Sequence, residues 1–325
     1  MTGKKGPVRY LSNSGPGPAT MPWGVVLLAH GSQRGTDRSD CSCFWDGTET
    51  VTPAWCRRCP STPQGLQDAA ERLQKALGLH GQQLVLSCLE FIQPHPDEAV
   101  RILEGRGFRR VAIVPFLLGI GKHATVELDE VLDRLRLAMP QVQLHLAECL
   151  GADPRLAELV VERLRGRGCL SEARPDVRRP TGVLLVKAGT KTLYDDCLWL
   201  KELGQQVEQR LGPGYAVAVA QSHYGDPTIE SAAAHLVGER RASSIVCVPY
   251  LMFPGIILRR NVLGGMDLLR ARYPGLPMTV TPPLGVDDRL VSLTAEKVQE
   301  VWARAEPNGP QTTLQLDMAP RCGPK

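Results

Sequence analysis

The chain has 325 residues, 43% of them hydrophobic and 22% charged, with a formal net charge of +4. That content is ordinary for a globular protein, and the length predicts either more than one domain or one large one. The charge is too small to argue for nucleic acid on electrostatics, and no apolar run approaches the ~20 residues that a membrane-spanning helix needs.

Residues 1–20 are polar, rich in Gly and Pro, and without the apolar stretch of a secretory signal. They predict a disordered tail and a cytoplasmic protein, with no membrane partner. In that compartment the ten cysteines read as thiols or metal ligands before disulfides. Short apolar runs then alternate with helical patterns. The runs are Val25–His30, Leu84–Cys88, Val111–Phe116, Val142–Ala147, Val183–Ala188, Ala216–Ala220, Ile245–Leu251 and Met278–Thr281. Leu66, Ala69, Leu73 and Leu77 form one helical stripe between them. Continuous apolar strands separated by helices imply parallel sheets covered on both faces, and right-handed crossovers make them doubly wound. Residues 306–325 predict a second disordered tail.

The chain repeats itself. Gly24–Ser32 (GVVLLAHGS) matches Gly182–Thr190 (GVLLVKAGT), Arg110–Leu117 (RVAIVPFL) matches Ser244–Leu251 (SIVCVPYL), and Cys149–Leu156 (CLGADPRL) matches Pro283–Leu290 (PLGVDDRL). These ordered matches predict two tandem α/β domains related by internal duplication, over 21–170 and 182–305, joined by a polar linker at 171–181. The first match is offset by 158 residues and the later ones by 134, so the first unit carries about 24 extra residues. They form a Cys-rich insertion at about 37–62.

In open α/β sheets, ligands bind beyond the carboxyl ends of the strands. His30 ends the first strand, and Gly31 lets the chain turn sharply there. A lone histidine in that place reads as a hydrogen-bonded strand end, but a second turn, Leu118-Gly119-Ile120-Gly121-Lys122-His123, brings another imidazole to the same edge after the third strand. Two neutral imidazoles suit a divalent transition metal and leave coordination positions open, so the ion can be passed on. Glu90 follows the second strand, where it either steers a cation and takes a proton or is a solvated loop acid.

The set Leu28–Ser32 (LAHGS), Pro94–Ala99 (PHPDEA), Pro115–His123 (PFLLGIGKH) and Gly151–Leu156 (GADPRL) resembles the sirohydrochlorin chelatases, the cobalt- and iron-inserting class II tetrapyrrole chelatases. The resemblance covers 24–165 and, more weakly, 182–303, as in the duplicated long form of that family. It implies a chelatase-like, flavodoxin-like fold and a lyase that inserts Co2+ or Fe2+ into sirohydrochlorin, in cobalamin or siroheme biosynthesis. No organic cofactor is implied. His30 then binds the metal and accepts a proton, His123 is the second metal ligand, and Leu118, Gly119, Ile120, Gly121 and Lys122 contact the tetrapyrrole. Glu90 falls on a substrate-contacting position whose identity varies in the family. The alternative is a non-catalytic metal carrier or tetrapyrrole-binding protein using the same histidines.

The second unit has Ala188 where the first has His30, and Ile257 where it has His123, which predicts a catalytically silent half that packs on the first and makes a working monomer. His223 lies at or beside the position of Glu90, either as a structural histidine or as an imidazole facing a shared cleft. In the insertion, Cys41-Ser42-Cys43 and Cys56-Arg57-Arg58-Cys59 form two thiol pairs twelve residues apart. Such pairs suit a structural Zn2+ or a [4Fe–4S] cluster, the alternative being free thiols. Cys88 and Cys247 sit within strands and read as small core residues.

Overall fold

The computed structural model describes residues 22–31, 64–90, 93–119, 126–151, 153–166, 176–189 and 198–306. Residues 1–20 and 307–325 of the predicted tails, the Cys-rich insertion with Cys41, Cys43, Cys56 and Cys59, and residues 171–175 of the linker lie outside the described residues. Thr181, placed in the linker by the sequence, already opens a strand.

Each half is a four-stranded parallel sheet. The first orders its strands β2 (Leu84–Cys88), β1 (Trp23–Ala29), β3 (Arg110–Pro115) and β4 (Gln143–Leu146). The second repeats this with β6 (Tyr215–Gln221), β5 (Thr181–Lys187), β7 (Ser244–Tyr250) and β8 (Met278–Val280). Every predicted apolar run is a strand. β1, β3, β5 and β7 lie in the interior of their sheets and are buried on both faces, which is why their sequences do not alternate. The helices are α1 (Gln64–Ala76), α2 (Pro96–Gly105), α3 (Val126–Ala138), α4 (Pro154–Arg165), α5 (Leu198–Leu211), α6 (Ile229–Gly238), α7 (Gly264–Arg272) and α8 (Asp288–Ala305). A π-helical turn, Ile257–Leu263, precedes α7.

The two sheets share one layer of helices. One face of sheet one packs α2 and α3 around Val26, Leu28, Val111 and Ile113. One face of sheet two packs α6 and α7 around Leu184, Val186, Ile245 and Cys247. Between the sheets, Val25, Leu27, Val114, Val183, Leu185 and Val248 meet α1, α4, α5 and α8 in a single apolar cluster. The last helix of each half is exchanged: α4 lies beside α5 and against β7, whereas α8 lies beside α1 and against β3. Burying the stripes of four helices between two sheets supplies the dominant stabilisation at the junction, at roughly 25 cal/mol per Å2 of apolar surface.

The exchange has an approximate two-fold symmetry written in ion pairs. Asp153 and Asp287 are the N-caps of α4 and α8, each accepting the backbone N–H two residues on. Arg155 then bonds Asp153 and reaches Glu296 on α8 at 2.7 Å, while Arg289 bonds Asp287 and reaches Glu162 on α4. Residue i of one half meets residue j of the other, and the reverse contact recurs 134 positions on, as in a two-fold dimer interface. Glu162 and Glu296 are well exposed, so these pairs orient the helices more than they hold them.

One latch has no counterpart in the second half. The buried Arg110 guanidinium stacks 4.2 Å above Trp23 and donates to the Ala305 carbonyl at the end of α8. Trp302 from α8 and His145 from β4 complete this cluster around Trp23. Burial, then Arg110 on β3 and Arg136 on α3, hold the His145 imidazole below its ordinary 6.5. The folded state therefore favours neutral His145, so its contribution is complete above pH 6.5 and is lost as pH falls below that value. We expect the urea midpoint to drop between pH 7 and pH 5.5 and that part of the drop to vanish in His145→Phe; an unaltered pH profile in the variant would refute the assignment.

Candidate functional site at the carboxyl edge of the first sheet

β1 lies between β2 and β3, and the three strands end side by side. The Leu28 carbonyl accepts the Phe116 N–H at 2.7 Å, the Ala29 carbonyl accepts the Leu89 N–H at 2.9 Å, and the His30 carbonyl accepts the Glu90 N–H at 3.0 Å. The chain then reverses at Gly31, with φ +86°. A Cβ on this residue would stand 2.0 Å from the Glu90 carbonyl oxygen, so only glycine fits both the torsion and the space. The half-buried His30 ring places Nδ1 2.8 Å from the Gly31 carbonyl oxygen. A carbonyl only accepts, so Nδ1 carries a proton, and in the neutral ring the lone pair is then on Nε2.

The structure thus brings His30, Glu90, Leu118 and Gly119 to one sheet edge. Ile120, Gly121, Lys122 and His123 lie outside the described residues. Cys88, at the end of β2, is a buried thiol pushed up to about 11, and Cys247 in β7 is pushed up to about 12, both by desolvation. Both fit the reading as inert core residues.

The second sheet repeats the frame without a histidine at the end of its central strand. Ser222 N–H donates to the Lys187 carbonyl at 2.9 Å, as Leu89 does to Ala29. A Cβ on Gly189 would lie 1.3 Å from the His223 carbonyl oxygen, repeating the constraint at Gly31. Ala188 therefore stands in the place of His30, and His223 in that of Glu90. His223 Nδ1 lies 2.7 Å from Ser222 Oγ, and its ring packs 4.6 Å from Tyr224. Ile257 opens the π-helical turn at the position matching His123.

The CbiX family model matches residues 57–167 and again residues 182–301, well over half of the sequence. The chain belongs to the CbiX family. Among curated relatives, a sirohydrochlorin ferrochelatase of Priestia megaterium is 26% identical over 190 residues, 58% of this chain and 66% of that protein. The match therefore spans just under two thirds of the Priestia relative. A sirohydrochlorin cobaltochelatase of Sulfurisphaera tokodaii is 29% identical over 98 residues, 30% of this chain and 78% of that one. Among solved structures, SirB from Bacillus subtilis with Fe3+ superposes with a TM-score of 0.64 at 19% identity, covering 89% of this chain and 99% of that one. This last likeness is one of fold.

Three aromatic residues from the second CbiX repeat reach the first, and sequence reasoning missed all of them. Tyr250, at the end of β7, is buried and directs its hydroxyl to the Leu118 carbonyl at 3.4 Å. Trp199 on α5 packs against Gly119, and Phe253 after β7 packs against Gly65 at the start of α1. Nothing local in the sequence announces these contacts; the first spans 132 residues. A groove of about 530 Å3 runs along the edge strand β6 between α5 and α6, but it contains none of the predicted site residues. Its floor is closed to strand pairing at Val217, whose N–H is taken by the Glu208 carboxylate at 2.7 Å. No helix among the described residues is long and apolar enough to cross a membrane.

Proposed function

We propose that this CbiX chain inserts a divalent metal, Co2+ or Fe2+, into sirohydrochlorin, with the first repeat catalytic and the second degenerate. The observation that carries the reading is the asymmetry at matched positions. The family match covers both repeats, yet an imidazole stands at the carboxyl edge only of the first central strand, with an alanine at the equivalent place in the second. The curated relatives named as ferrochelatase and cobaltochelatase support the substrate class.

Insertion exchanges two pyrrole N–H protons for one divalent ion, so the macrocycle needs a nearby base and the metal needs a temporary ligand. Fixing the proton of His30 on Nδ1 turns the Nε2 lone pair to both tasks: it holds the incoming ion, and once the ring nitrogens have taken that ion it receives a proton. His123 is the second ligand in this reading. Glu90, whose backbone is bonded to that of His30, supplies a carboxylate that attracts the cation and relays a proton to solvent. Imidazole accepts cobalt and iron alike, so the choice between them follows supply.

The test is anaerobic mixing of the purified protein with sirohydrochlorin and Co2+ or Fe2+, followed by visible absorption. The expected result is a rate well above that of the protein-free mixture. A rate equal to that control, with metal still bound by the protein, would instead identify a carrier.

A further inference from the structure

We propose that Trp199 and Tyr250, both from the degenerate repeat, are positioning residues for Leu118–Gly119, where the chain leaves β3. The consequence for turnover rests on the chelatase reading; the mechanical claim does not.

The duplication makes two contacts across the junction equivalent. Adding 134 to Gly65 gives Trp199, and adding 134 to Gly119 gives Phe253. The first pair are residues at the start of α1 and α5; the second pair follow β3 and β7. Across the junction, Trp199 of α5 meets Gly119, and Phe253 meets Gly65 of α1. The same helix-to-loop contact is therefore made twice, with the large and small partners reversed. A Cβ on Gly119 would lie 2.4 Å from Trp199 Cζ2 and 2.5 Å from Cη2, whereas one on Gly65 would lie 2.6 Å from Phe253 Cε1. In the degenerate half the loop brings its own ring. In the catalytic half Gly119 presents only backbone at this place, and the ring that fills the space belongs to the other repeat.

Tyr250 reinforces this from below. It is the counterpart of Phe116, so the hydroxyl is what distinguishes the two repeats at this position. That hydroxyl is buried, which also pushes its ionisation up, and it donates to the Leu118 carbonyl. A buried hydroxyl is costly to leave unbonded, so the carbonyl is held where the oxygen needs it. Trp199 and Tyr250 pack against each other with centroids 5.9 Å apart and planes at 49°, so neither ring moves alone. The Trp199 indole N–H is buried with no hydrogen-bond partner, so packing sets its place. Two consecutive loop residues are thus fixed by side chains that touch nothing in the chemistry.

The experiment compares Trp199→Ala, Tyr250→Phe and Phe253→Ala in the full chain, with amide hydrogen exchange read on peptides spanning 116–125. Exchange there should accelerate at least 10-fold in Trp199→Ala and at least 3-fold in Tyr250→Phe. It should stay within 2-fold of wild type in Phe253→Ala, which loosens the mirror contact. In the insertion assay, kcat should fall at least 10-fold in Trp199→Ala with KM nearly unchanged, and adding Gly119→Ala to Trp199→Ala should cost less than Gly119→Ala does alone. Unchanged loop exchange in both positioning variants would overturn the proposal, as would equal acceleration in Phe253→Ala. Tyr250→Phe removes a single oxygen and keeps the test decisive should Trp199→Ala not fold. The exchange measurement needs no substrate, so a wild-type protein without chelatase activity would refute the function and leave this inference standing on its own data.

Discussion

Replacing His30 by alanine should slow metal insertion by at least about 100-fold, the usual contribution of a positioned acid–base group, and should leave the melting temperature close to that of wild type. The side chain is half-buried and stands beyond the last residue of β1, so its removal opens no cavity in the cluster built on Val25, Leu27 and Ala29. Both proposed tasks fall on one ring, so the loss appears in turnover and in affinity for Co2+ measured on the protein alone. His30→Gln separates them: an amide cannot take the pyrrole proton but still offers the metal a weak oxygen donor. Undiminished turnover in His30→Ala would remove the histidine from the mechanism.

Gly31→Ala should be the most damaging single methyl group in the first repeat, destabilising the fold by about 3 kcal/mol or more. A non-glycine residue held at positive φ costs about 1–3 kcal/mol by itself. Here the added Cβ also meets backbone, the Glu90 carbonyl, which cannot swing aside as a flexible side chain would. Relief requires the ends of β1 and β2 to part, and they part where His30 and Glu90 are bonded to each other. Gly78→Ala provides the comparison: its φ is +63°, but nothing lies within 4 Å of its Cβ position, so only the torsional cost, about 1–2 kcal/mol, applies. Urea unfolding of the two variants measures the difference. Equal losses would show that the contact with Glu90 yields more readily than the geometry indicates.

The strands were legible in the sequence because a buried parallel strand is an unbroken apolar run, and WGVVLLA has few other readings. His30 and Glu90 were legible as neighbours for the same reason: each follows a strand directly, and adjacent strands bring their ends together. The exchange of α4 and α8 was not legible. The stripe of Leu290, Val291 and Val298 says that one face of α8 is covered and does not say which sheet covers it. The π-helical turn at Ile257–Leu263 was hidden too, since ILRRNVL has ordinary helical spacing and the wider turn is set by what surrounds it. The resemblance set Gly119 against the tetrapyrrole; the structure gives it a further reason for being small, an indole that arrives from eighty positions away in the sequence.

The crossed terminal helices bear on how such a molecule could diverge. Because each half finishes the other's core, neither can be discarded, whether or not it carries chemistry of its own. A single polypeptide also delivers the two halves in equal number, so a front half with a histidine at the end of its central strand always comes with a back half that has alanine there. Selection is then free to treat the rear copy as scaffold, lending its rings and hydroxyls to its twin, an asymmetry that a pair of identical subunits could never present.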